Sequence, residues 1–336
     1  MPFITGFQAM PQQGAGEGFN PHRSHHLRAI SADDADEHAN NLTDWQQQYD
    51  QVSAGAFRGT LLERHQGQLQ LFCEATSQAV RQSCCVPEGF LWLGLPVQVA
   101  QAIRINGRQA PQHAFLTRPG GVEFELITPA SYAIYGIVVP KAALLQLAGQ
   151  LGCQIDWALL GQEPLWQASP QAYQRCCQLL ARCLDPAADS APPDGAVLSF
   201  VLDLLDNAQL EPLAARSHGR RLQLVSAARA RVLADPQQAS IAQLCQQLNV
   251  SRRTLQYCFE AVTGQSPLHY LRALRLNAVR RALLRGEGLV TEVAAAWGFD
   301  HPSQFASDYR QLFGCLPSQT RDEHWDLVSS NEAKLV

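Results

Sequence analysis

The sequence predicts an α+β fold: a sheet-rich first domain that ends in helices, then an all-α second domain. Three observations predict it. Residues 57–139 run as short stretches of alternating apolar and polar side chains, broken by turn residues roughly every eight to twelve positions, the pattern of a small antiparallel barrel or sandwich. Residues 240–321 repeat themselves: Leu255, Phe259, Gly264 and Pro267 return fifty positions later as Phe305, Tyr309, Gly314 and Pro317. Such repetition marks two copies of one unit. Charge is also divided, with thirteen Arg against eight Asp or Glu in residues 219–325, and twelve Lys or Arg against twenty acids in residues 1–218.

Residues 1–36 are the first segment, rich in Gly, Gln and Pro up to residue 30, and are expected to be disordered. His22, His25 and His26 have no Cys, Asp or Glu close by, so no metal site is assigned there. The first domain is assigned to residues 37–215. Glu37–Gln51 reads as a helix, because Thr43 can cap it and Trp45 and Tyr49 lie four apart. The strands follow. FRGTLLERHQGQLQLFCEA alternates around a Gln66–Gly67 turn, GFLWLGLPV is a further strand, and Asn106–Gly107 is a strong hairpin signal. FLTRPGGVEFELITPASYAIYGIVVP reads as a turn, a strand, a turn and a strand. Together these predict a small, cupin-like β-barrel.

Glu123 and Glu125 share one strand face, opposite Val122, Phe124 and Leu126. That face is either solvated or an anionic pocket for a cationic effector, with Trp92 or Tyr132 adding a π surface. Residues 141–210 return to helical spacing, with stripes such as Leu144, Leu147 and Leu151, or Leu198, Val201, Leu202 and Leu205. Stripes of this kind are core within one chain or, where exposed, a homodimer interface. EPLAARSHGRR, residues 211–221, reads as the linker, residues 219–325 as the second domain, and 326–336 as a tail.

Each repeated unit can be read physically. In the first, Ile241, Leu244, Cys245 and Leu248 recur at helical spacing. Asn249 tolerates a left-handed helix end, and Ser251 is a good N-cap for a second helix carrying Leu255, Cys258, Phe259 and Val262 inward. The second unit has Val293, Ala294 and Trp297, then Gly298, then Pro302 at a helix start. A short helix, a tight turn and a second helix make the helix-turn-helix motif, whose second helix meets DNA base edges. Ser251, Arg252, Arg253, Thr254, Gln256 and Tyr257 form the polar face of the first such helix; Pro302, Ser303, Gln304 and Ser307 form that of the second. Arg253, Gln256 and Tyr257 are the main candidates for bases and Arg252 for phosphate. The second face has no Arg and carries Asp308, so it is expected to read fewer bases. Between the units an unbroken helical pattern holds Arg272, Arg275, Arg280 and Arg281, which are either a solvated face or phosphate contacts.

Residues 220–321 resemble the DNA-binding domain of the arabinose-operon-regulator (AraC-type) family, on IAQLCQQLNVSRRTLQYCFEAVTGQSPLHYLRALRLNAVRRALL and VAAAWGFDHPSQFASDYRQLFGCLPSQTR. The resemblance implies two units reading adjacent major-groove turns of duplex DNA, with RNA polymerase as a partner. The chain from His38 on is also similar to regulators of ethanolamine-utilisation operons, on EHANNLTDWQQQYDQ, FRGTLLE, AVRQSC and TRPGGVEFELITPASY. That likeness implies a transcriptional activator responding to ethanolamine and adenosylcobalamin, the cobalamin as effector and not as a catalytic cofactor. In the Asp-x-His-x-x-Gly pattern of cobalamin ligation, Asp36 and His38 are present but Asn41 stands where Gly would be, so no axial ligand is assigned.

Other classes find less support. No basic-then-apolar leader and no membrane-length apolar run is visible, and the ten cysteines lack paired spacing; a cytoplasmic protein with reduced thiols is expected. A metal-dependent barrel enzyme needs clustered ligands, yet only His65 and His113 occur between Phe57 and Val139, so no catalytic residue is assigned. A regulator of another small-molecule pathway, or a repressor, remains open.

Overall fold

A computed structural model describes residues 27–98, 103–187, 192–210 and 216–322. The expectations for residues 1–26, for 211–215 of the linker and for the tail 326–336 lie outside them. In chain order the first domain runs β1 (Leu27–Ala32), α1 (Ala35–Ala39), β2 (Gln46–Gln51), β3 (Gly59–Gln66), β4 (Leu69–Thr76), β5 (Val80–Cys85), β6 (Phe90–Gln98), β7 (Arg104–Ile105), β8 (Arg108–Gln109), β9 (Ala114–Pro119), β10 (Phe124–Thr128) and β11 (Tyr132–Pro140). It closes with α2 (Lys141–Leu151), α3 (Trp157–Gln162), β12 (Leu165–Gln167), α4 (Pro170–Cys183), α5 (Asp194–Asp206) and β13 (Gln209–Leu210). Residues 27–36, expected to be disordered, thus hold β1 and the start of α1.

Two antiparallel sheets face each other, in the orders β1-β3-β4-β11-β6-β9-β12-β13 and β2-β5-β10-β7-β8. Of the expected barrel or sandwich, the described residues form a two-sheet sandwich, since no ladder among them joins the sheets into a closed barrel. The cause is local: α1 and the turn after it separate β1 from β2, so β1 pairs with β3 in one sheet and β2 with β5 in the other. The same segment corrects the helix expected over 37–51. Asp34 caps α1, but the helix gives way at Asn40, and Asp44 takes a φ of 63°. The Gln-rich run beyond pairs with β5 from Gln46 to Gln51, so ladder formation overrides helical spacing. The hairpins fall where expected, with Asn106 and Gly107 at φ 47° and 72°, as a type I′ turn requires.

Aromatic rings fill the space between the sheets. Trp92 stacks on Phe124 at 5.0 Å between centroids, and Trp45 meets Trp92 and Phe72 edge-on. Gly136 admits Phe72, whose ring would lie 2.0 Å from a Cβ there. On the outer face of the larger sheet, Leu144, Tyr173, Leu180, Val201 and Leu205 of α2, α4 and α5 bury Leu71, Leu93 and Ile137. The helical stripes are therefore largely core within the chain, while Leu145 and Leu151 stay exposed. Among the described residues no helix is long and apolar enough to cross a membrane.

The second domain runs α6 (Arg216–Ala234), α7 (Ile241–Gln247), α8 (Arg252–Thr263), α9 (Pro267–Leu284), α10 (Val290–Ala296) and α11 (Pro302–Phe313). Residues 216–221 of the expected linker belong to α6. The two domains meet along α9. Its buried Asn277 accepts from Gln51 N at 2.9 Å and donates to Gln51 O and Ala273 O, both at 2.8 Å. Close by, Arg280 pairs with Asp34, and Arg281 lies 2.9 Å from Asp50 and 3.6 Å from Asp36. Arg81, buried in β5, lies 3.1 Å from Asp50 and 2.6 Å from Glu125, and Arg229 of α6 closes on the same Glu125. The assignment of Arg280 and Arg281 to phosphate is thereby corrected: both guanidinium groups sit against acids of the first domain.

Two predictions follow from these buried charges. Arg280→Ala leaves Asp34 only the two cap N–H groups of Asp36 and Glu37 and is expected to cost about 1.5–3 kcal/mol of stability, with the salt dependence of any DNA binding unchanged; denaturant unfolding and a salt series read the two effects. Glu63 in β3 takes Arg28, the Thr43 N–H and hydroxyl, and the Gln70 amide, with His65 Nε2 at 3.3 Å. Burial pushes its carboxyl up, but His65, Arg28 and Gln70 outweigh it and bring it down from 4.5 to about 2. A folded value below the unfolded one gives stability that is present above pH 4.5 and lost as pH falls toward 2. This linkage is on the order of 3 kcal/mol, so the stability gap between wild type and Glu63→Gln should narrow across that window.

Candidate nucleic-acid interface

The first unit is α7, a turn and α8. Ser240 and Gln243 cap α7 reciprocally, Asn249 turns the chain at φ 56°, and Ser251 accepts from Thr254 N to start α8. Leu255, Cys258, Phe259 and Val262 are buried as the helical spacing requires, and Gly264 ends the helix at φ 75°. The second unit is α10, a turn at Gly298 (φ 75°) and α11, which ends at Gly314 (φ 77°). His301 occupies its N-cap but makes no side-chain cap bond there, and Pro302 opens the helix. Phe305, Tyr309 and Leu312 are buried.

The faces left outside are those the sequence singles out. Ser251, Arg252, Arg253, Thr254 and Tyr257 are exposed at the start of α8, and Pro302, Ser303, Gln304 and Ser307 at the start of α11. Gln256 is half-buried and donates to Glu260 at 2.6 Å. Gln304 donates to Asp308 at 2.9 Å. Asp308, one reason the second face is expected to read fewer bases, is paired with Arg272 of α9. Two contacts have no sequence signal of their own. Arg221 of α6 places its guanidinium 5.0 Å over the ring of Tyr257, about one helical turn on from Arg253. Arg275 is half-buried, 5.3 Å over the Phe299 ring, and joins α9 to the turn of the second unit. It lines a groove with Gln237, Ser240, Ile241 and Leu268 beside the N-terminus of α7.

The four residues proposed for an effector are not brought together. Strand alternation puts Phe124 between the sheets and Glu125 on the opposite side, where Arg81 and Arg229 take it. Glu123 is exposed, whereas Trp92 and Tyr132 are buried in the sandwich core. A different group of polar side chains lies between the sheets. Glu74 accepts from Tyr49 Oη at 2.7 Å and has His38 Nε2 at 3.1 Å. Tyr132 and Thr76 are paired across the ladder beside it. Burial, with Glu74 adding to it, drives the Tyr49 hydroxyl well above its ordinary range.

With this geometry in view, comparisons with known proteins locate the likeness. A family model described as a helix-turn-helix domain matches residues 244–323. The probable thc operon regulatory protein of Rhodococcus erythropolis is 38% identical over 86 residues, 25% of this chain and 26% of that protein. The XylDLEGF operon transcriptional activator 2 of Pseudomonas putida is 38% identical over 100 residues, 29% of this chain and 64% of that protein. This chain thus covers less than two thirds of either relative. A solved transcriptional regulator from Chromobacterium violaceum, with an AraC-type DNA-binding domain, is 27% identical over 33% of this chain and 96% of its own, at a TM-score of 0.28. The family model thus shows a helix-turn-helix domain over residues 244–323.

Proposed function

We propose that the protein is a sequence-specific DNA-binding regulator of transcription, in which α8 and α11 enter two neighbouring turns of the major groove. One observation carries the reading: on both helices the N-terminal polar residues are exposed while the apolar face is buried. A helix of this kind docks by its N-terminal residues in the groove. The relatives of the segment are operon regulators by name, which favours regulation of an operon for small-molecule metabolism, with duplex DNA and RNA polymerase as partners in the cytoplasm. The two named relatives concern other operons, so a pathway other than ethanolamine use has the better support. The ethanolamine and adenosylcobalamin reading rests on sequence motifs alone; saturable binding of adenosylcobalamin, strengthened by the amine, would sustain it, and no binding of either would end it. For an effector, the buried Glu74, Tyr49 and His38 group between the sheets is a better candidate than Glu123 and Glu125.

Arg253 tests the DNA reading. Arg253→Ala is expected to cost about 1–3 kcal/mol of binding and to relax preference at one base pair. Titrations against a selected duplex and its single-base variants measure both. Equal weakening on every duplex would assign Arg253 to phosphate instead.

A further inference from the structure

We propose that the first domain sets the separation of the two recognition helices and so selects the spacing of the two DNA half-sites. The proposal rests on the DNA-binding reading above. It starts from the repeat: at the offset of fifty, Ala261 in α8 corresponds to Gln311 in α11, and Gly264 to Gly314. The first domain grips both members of each pair. Arg104 Nη1 of β7 donates to Ala261 O at 3.1 Å. Gly55 N, in the turn after β2, donates to Gln311 O at 3.2 Å and to Leu312 O at 3.1 Å, and Gln51 Nε2 adds a bond to Leu312 O at 2.6 Å. These carbonyls lie in the last turn of each helix, where no intrahelical donor remains. The terminal glycines meet the same two elements. A Cβ on Gly264 would lie 3.4 Å from Arg104 Nε, and one on Gly314 would lie 2.9 Å from Ala56 N.

The two grips belong to one rigid body. Strands β2 and β7 lie in the same sheet, in the order β2-β5-β10-β7. Three inter-strand steps of about 4.8 Å give a fixed span of roughly 14 Å between them. Asn277 of α9 holds the backbone of Gln51, whose side chain makes one of the grips. The sheet therefore acts as a caliper on the C-terminal ends of α8 and α11, while their N-terminal ends stay exposed. A change in the sheet, such as an effector entering the sandwich, would alter the distance between the helices without touching the groups that face DNA.

The experiment uses the full chain and duplexes in which the two half-sites of a selected site are moved apart by one or two base pairs. Wild type is expected to prefer one spacing. Gln51→Ala combined with Arg104→Ala is expected to lose about tenfold of that preference, with affinity for the best spacing nearly kept. An unchanged preference in a folded double variant overturns the proposal, because a merely stabilising contact would lower the melting temperature and leave the preference alone. Should the double variant not fold, Arg104→Ala alone must move the preference in the same direction, and no movement counts against the proposal. Failure of wild type to bind any selected duplex would remove the DNA reading itself, whereas binding with an unaltered preference removes only the caliper.

Discussion

The side-chain amide of Asn277 is the contact on which the arrangement of the two domains turns. It pairs with the N–H and C=O of Gln51 as a neighbouring strand would, and ties back to Ala273 in its own helix. All three bonds are buried, so removing the amide would strand main-chain groups with no water to replace it. Helix α9 also carries the cores of both helix-turn-helix units, packing Leu271 and Leu274 against the first and Leu276, Val279 and Leu283 against the second. A helix that faces three bodies has little solvent-exposed surface. Arg280 and Arg281 on its inner side consequently find partners inside the protein.

The division of charge along the chain has a second meaning once the domains are docked. Acids of the first half and arginines of the second neutralise one another across the interface, through Asp34 with Arg280, Asp50 with Arg281 and Glu125 with Arg229. Breaking a largely buried charge pair costs far more than making it gains. The arginines left facing outward at the start of α8 are Arg252 and Arg253. Positive charge is thus concentrated where an anionic duplex would approach, with the acidic sheets behind it.

The second domain was legible because its constraints are local. Caps, left-handed turns and buried stripes recur within each unit, and Asn249, Ser251, Gly264, Gly298 and Gly314 all take the conformations their residue types suggest. The hairpins at Gly67 and Asn106–Gly107 were legible for the same reason. What was hidden depends on distant partners. Arg280 meets Asp34 across 246 residues and Arg281 meets Asp50 across 231, and no spacing in the chain announces such a pair. Trp45 and Tyr49 suggested a helix because four residues separate them, yet both reach the sandwich core from a turn and a strand. Glu125 suggested an anionic pocket, but its carboxylate answers Arg81 and Arg229. Sheet closure was not legible because period-two alternation marks strands without stating which edges pair.

The central claim is that two equivalent helices, held from behind by the first domain, present their N-termini to adjacent turns of DNA. A hydroxyl-radical footprint of the full chain on a selected duplex tests it most directly. The account predicts two protected patches on one face of the duplex, one helical turn or about 34 Å apart. A single protected patch, or protection running around the whole duplex, would contradict it.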